Sequence, residues 1–106
     1  MDTGTVDRMA ALFGAMGNPT RVQIMTLLSA KPMSVNCVAQ ELAIGQPNAS
    51  QHLAILERVG LLKVTKDGAK RIYELRGPRV RQILETLKEF CDIHGLKGMP
   101  EGEMGS

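Results

Sequence analysis

Residues 45–53, GQPNASQHL, place five polar side chains, Gln46, Asn48, Ser50, Gln51 and His52, in one short stretch that opens on Gly and contains Pro. Gln and Asn each carry a donor and an acceptor that match the edge of adenine, and Ser and His can donate or accept. The set suits hydrogen bonding to bases and phosphates. Plainer readings stay open: ordinary solvated polarity for Gln46 and Gln51, and a hydrogen bond within the domain for His52. Residues 45–81 carry eight basic side chains against three acidic, a local +5. Residues 1–44 balance at three each, and residues 82–106 carry two basic against five acidic. Basic charge that begins at the polar stretch fits a polyanion such as DNA, and a solvated basic face accounts for the charge equally well.

The other reactive groups are few. Cys37 and Cys91 are the only two cysteines, too few for a disulfide scaffold, so a reducing cytoplasm is expected. No apolar run approaches the roughly 18–20 residues of a membrane span, and the opening MDTGTVDRM lacks the basic-then-apolar layout of a signal peptide. No nucleophile–base pair, carboxylate pair or phosphate-cradling Gly loop is present, so neither an enzyme nor a cofactor is expected.

The elements that must position these groups read mainly as helices. Val6, Met9, Ala10, Leu12, Phe13 and Met16 follow i, i+3, i+4 spacing and predict a first helix over 5–16, stopped by Gly17. Asn18-Pro19 then supplies an N-cap and a first helical position. The second helix, 19–30, is expected to bury Val22, Ile24, Met25, Leu27 and Leu28. Ser34 caps a short third helix, 35–43, with Val35, Val38, Ala39 and Leu42 inward. A fourth, 46–59, tolerates Pro47 in its first turn, buries Ala49, Leu53 and Leu56, and ends at Gly60, a residue suited to left-handed backbone. The β-prone runs 62–66 and 70–75 flank Asp67-Gly68 and predict a hairpin. A last helix over about 78–94 aligns Val80, Ile83, Leu84, Leu87, Phe90 and Cys91. Residues 95–106 show no periodicity and read as a disordered tail, which leaves 1–94 as one domain. With Phe13, Tyr73 and Phe90 the only aromatics, the core must be aliphatic, with Met9, Met16, Met25 and Met33 as fillers.

A short helix leading tightly into a second helix, followed by a basic hairpin, is a helix-turn-helix with a wing. The fold expected is therefore mainly α with a β-hairpin wing, in the order helix, helix, helix, helix, strand, strand, helix. The segments AMGNPTRVQIMTLL, SVNCVAQELAIGQPNASQHLAILERVGLLKVTKDGAKRIYEL and PRVRQILETLKEFC, over roughly residues 10–91, resemble the ArsR/SmtB family of winged helix-turn-helix transcriptional regulators. The resemblance implies a homodimer that binds double-stranded DNA at an inverted-repeat operator and is released by an inducer. It implies that Gln46, Asn48, Ser50, Gln51 and His52 read bases and phosphates and that Lys66, Lys70 and Arg71 are wing contacts. It also implies that helices one and five face a partner subunit, which suits Met9, Phe13, Ile83, Leu87 and Phe90. Arg21 reads as a structural salt bridge or a phosphate clamp. A winged-helix module for protein interaction is the alternative; the polar helix and the local +5 favour DNA.

For the inducer, the resemblance points in two directions. Metal-sensing relatives carry a Cys-Val-Cys-type motif at the third helix, where this chain has Ser34-Val35-Asn36, or an Asp-x-His with a His-x-x-Glu partner. Here Asp92-x-His94 stands without its second half, so no metal is expected, and Cys91, Asp92 and His94 with help from Cys37 stay a lesser alternative. The branch that responds to persulfides and oxidants pairs a second-helix cysteine with one late in the last helix. Cys91 matches the late position, Thr26 occupies the early one, and Cys37 is left as the candidate partner in a thiol switch. Helical projection places Cys37 on the exposed side and Cys91 on the apolar stripe, where a structural thiol is equally open.

Overall fold

A computed structural model describes residues 1–95. Five helices and three strands follow in the order α1 (Thr3–Met16), α2 (Pro19–Ala30), β1 (Met33–Ser34), α3 (Val35–Leu42), α4 (Gln46–Arg58), β2 (Leu62–Asp67), β3 (Lys70–Leu75) and α5 (Pro78–Ile93). The tail expected over 95–106 lies outside the described residues except for Gly95. Helices α1, α2 and α3 start at a side-chain cap, whereas α4 and α5 follow Gly45 and Gly77 without one. The Asp2 carboxylate accepts from the Thr5 amide at 2.6 Å, Asn18 Oδ1 from the Arg21 amide at 3.1 Å, and Ser34 Oγ from the Cys37 amide at 3.2 Å, each satisfying a first-turn donor.

Helices α3 and α4 end in the same way. Ile44 N–H reaches back to Ala39 O at 3.0 Å and Leu61 N–H to Leu56 O at 3.0 Å, the closure that requires a left-handed residue in between. At α4 that residue is Gly60, φ 92°, as expected; at α3 it is Ala43, φ 54°. The helix-turn-helix connection thus turns on a residue with a Cβ in left-handed backbone.

The sheet has one strand more than the sequence predicts. β3 is central, with β2 and β1 antiparallel on either side; Met33 lies opposite Tyr73 and Ser34 opposite Ile72. Two residues are too few for any period to register, and only the pairing defines β1. In the hairpin, Asp67 lies opposite Lys70, so the two-residue loop is Gly68-Ala69, one position beyond Asp67-Gly68.

Ile24, Met25, Leu28, Val38, Ala49, Leu53, Leu56, Leu62 and Tyr73 form the centre of an otherwise aliphatic core, joined by Met33, Leu75 and Val80. Met25 and Met33 fill it, and Met16 packs at its edge. Two expectations need correction. Val22 is exposed, because α2 turns the face of Ile24, Met25 and Leu28 to the core, and Met9 is exposed on α1. Burial of α5 is confined to Val80, with Leu84 half-buried.

Candidate nucleic-acid interface

The buried stripe of Ala49, Leu53 and Leu56, each with no exposed surface, docks α4 on the body. By the helical period this turns Asn48, Ser50 and Gln51 away from the body; Gln46, on the side of Ala49, is free because it opens the helix, and all four are exposed. His52 is half-buried. The sequence-predicted readers therefore share one end of one helix.

The wing supplies the charge, and its register decides how. Along each strand successive side chains point to opposite faces. Lys66 lies directly opposite Arg71, on the face that continues from Leu62, Val64, Tyr73 and Leu75. Lys70 lies opposite Asp67, and Lys63 opposite Glu74. Only the last pair forms an ion pair, at 3.2 Å; Lys66, Lys70 and Arg71 have no carboxylate within 4 Å among the described residues. Like charges directly opposite on a sheet are destabilising, so the Lys66–Arg71 pair costs the free protein stability.

Helix and wing converge on a groove of about 400 Å³ lined by Gln46 and Ser50 of α4, Lys70 and Arg71 of β3, and Cys37 and Gln40 of α3. Gln40 was not singled out in the sequence. Its position one helical turn beyond Asn36 carries no mark of its own, since the α3 face it occupies is ordinary solvated polarity by composition.

His52 meets Arg21 behind the exposed end of α4. Arg21 Nη1 lies 3.3 Å from His52 Nδ1, and Arg21 Nε donates to Ala15 O at 2.6 Å, in the last turn of α1. Arg21 makes no salt bridge among the described residues; its structural role is to tie α1, α2 and α4 together. Burial, and then the positive charge of Arg21, lower the His52 pKa below its ordinary value, and both effects favour the neutral ring.

The remaining candidates lie elsewhere. Met9, Phe13, Ile83, Leu87 and Phe90 are all exposed, Phe13 at 64% and Phe90 at 52%. Cys37 and Cys91 carry free, exposed thiols. Cys91 follows the α5 apolar stripe as projected, but in a single chain that stripe is uncovered. Among the described residues no three His, Cys, Asp or Glu side chains gather as a metal's ligands would. Asp92 instead pairs with Lys88 at 2.9 Å, and the His94 ring packs on Phe90 with centroids 4.4 Å apart. No described helix is long and apolar enough to cross a membrane.

The interface agrees with what the chain resembles. Residues 18–64 match the family described as bacterial regulatory protein, arsR family. An uncharacterized HTH-type transcriptional regulator of Methanocaldococcus jannaschii is 34% identical over 85 residues, 79% of this chain and 96% of that protein. The transcriptional activator HlyU of Vibrio cholerae is 34% identical over 88 residues, 82% of each chain. Its solved reduced form superposes with a TM-score of 0.73 at 31% identity, over 82% of this chain and 92% of that one. The homodimeric winged helix-turn-helix DNA-binding domain of a Mycobacterium bovis protein superposes with a TM-score of 0.82 at 25% identity, over 86% and 84%. With helix-turn-helix, wing and relatives in agreement, the chain belongs to the ArsR family of winged helix-turn-helix transcriptional regulators, which are DNA-binding proteins and not enzymes.

Proposed function

We propose that the protein is a cytoplasmic homodimer that represses transcription by binding an inverted-repeat operator and is released by an inducer that acts on thiols. The observation that carries the DNA contact is the Lys66–Arg71 pair. Two cations held opposite each other, with no carboxylate within 4 Å, are unfavourable until a polyanion lies between them, and Arg71 shares a groove with Gln46 and Ser50 of α4. Gln46, Asn48, Ser50, Gln51 and His52 of α4 enter the major groove, and Lys66, Lys70 and Arg71 hold phosphates.

The thiol reading rests on where the two cysteines sit. Cys37 lines the groove between helix and wing, so an adduct there intrudes on the DNA face. Cys91 stands on the exposed stripe of α5 beside Phe90, where a change of packing acts on the dimer. A direct disulfide needs Cα atoms within roughly 7 Å. Within one chain or across two subunits, Cys37 and Cys91 join directly only inside that distance, and a polysulfide spans a longer gap.

Selection of a duplex from a randomised DNA pool by the wild-type protein tests the DNA reading. Gln51→Ala is expected to lose discrimination at particular bases, whereas Lys70→Ala weakens binding to all sequences alike. Failure to select any sequence contradicts specific binding. Mass spectrometry of the thiols after persulfide, peroxide and metal treatment, alongside release from that duplex, tests the inducer; release from DNA that is unchanged in Cys91→Ser contradicts it.

A further inference from the structure

We infer that Arg21 is a positioning residue for DNA binding: it holds the His52 ring with Nδ1 as acceptor, so that the protonated Nε2 is presented as a hydrogen-bond donor to a DNA phosphate. The inference rests on the DNA-binding reading and goes beyond it by assigning which atom of His52 acts and what sets it. A guanidinium has only donors to offer. At 3.3 Å from Arg21 Nη1, His52 Nδ1 must therefore be the acceptor, and in a neutral ring the proton is then on Nε2.

The arginine is itself fixed at two points. Its amide is capped by Asn18 Oδ1, its Nε is held by Ala15 O, and it stands in the first turn of α2. Its orientation is set by α1 and α2, and the ring on α4 takes its direction from it. A phosphate is the partner that fits, because the guanidinium lies beside the ring and no carboxylate lies within 4 Å of it among the described residues. Desolvation and the Arg21 charge both favour the neutral ring, the form that acts as a directed donor and not as a further diffuse charge.

The test uses the full chain and the duplex selected by the wild type. Correlation of the ring ¹⁵N and ¹H signals of His52 is expected to show a protonated Nε2 and a bare Nδ1 at neutral pH. Gln places its amide nitrogen near the position of Nε2, and Asn near that of Nδ1. His52→Gln is therefore expected to bind the duplex within about threefold of wild type, and His52→Asn about tenfold more weakly or worse. Arg21→Lys keeps the charge but cannot grip Ala15 O and His52 together; it is expected to mix the ring tautomers and weaken binding. A ring protonated at Nδ1 overturns the inference, as does an Asn variant that binds better than the Gln variant. So does Arg21→Lys with ring state and affinity both unchanged. If the wild type selects no duplex, the DNA reading falls and this inference with it; if a duplex is selected and the ring results fail, only the inference falls.

Discussion

Lys66 and Arg71 put function and stability in opposition at a single site. Removing one cation removes a cross-strand repulsion in the free protein and, in the proposed complex, a phosphate contact. Lys66→Glu is expected to raise the stability of the free chain by about 0.2–1 kcal/mol, read as a higher urea midpoint, while weakening DNA binding at least tenfold. A variant that loses both stability and affinity would place Lys66 in the scaffold instead. At this scale the sequence is legible only in part. The polar cluster at 46–52 is visible because five hydrogen-bonding side chains interrupt an apolar pattern. The Arg21–His52 contact is not, because it joins residues 31 positions apart through one polar pair, and such a pair leaves no period to read. The face each wing cation occupies is fixed by register, which becomes certain only once Asp67 is seen opposite Lys70.

Among the elements, the connection from α3 to α4 has a local conflict built into it. Ala43 occupies left-handed backbone, φ 54°, where a Cβ costs roughly 1–2 kcal/mol in helical geometry. Gly60 meets the same requirement after α4 at no such cost. Ala43→Gly is expected to stabilise the protein by up to about 1 kcal/mol, with DNA affinity little changed, since the Ala43 side chain has no hydrogen-bonding group to lose. A thermal melt checks the first expectation, and a loss of stability would contradict the assignment of the turn. The helices were readable to within about two residues of their ends because apolar spacing is joined by end signals: Asn18-Pro19 opens α2, Ser34 opens α3, and Gly60 closes α4. What escaped were features set by tertiary contact. The pairing of Met33-Ser34 with β3 is one, and the exposure of Val22, an apolar residue on the edge of a helical stripe, is another.

The whole molecule leaves a surface that a single chain does not complete. Met9 and Phe13 on α1, and Ile83, Leu87 and Phe90 on α5, are exposed, and apolar rows that run on from turn to turn along a helix mark an interaction surface. The sequence shows the stripes on both helices, and the fold adds that α5 meets the core only through Val80 and Leu84, with Arg81 donating to Ser29 O of α2 and the remainder of its apolar side available. Leu87→Glu is expected to place paired charges in the dimer seam and to give monomers by sedimentation at micromolar concentration, with operator affinity largely lost. A wild type that sediments as a monomer under those conditions would contradict the homodimer. Dimerisation matters to recognition because two reader helices joined by one seam can address half-sites about one DNA turn apart, and a thiol adduct at Cys91 would alter their spacing.

The central claim is that the polar end of α4 and the uncompensated cations of the wing together grip DNA. Titration of the wild-type protein against its selected duplex at increasing salt tests it most directly. Each phosphate neutralised contributes a slope of about −0.9 in log K against log salt. Lys66, Lys70 and Arg71 on each of two protomers predict a steep linear fall of several units, and Lys70→Ala should make it shallower by about one or two. An affinity that stays flat from low to physiological salt would contradict the account.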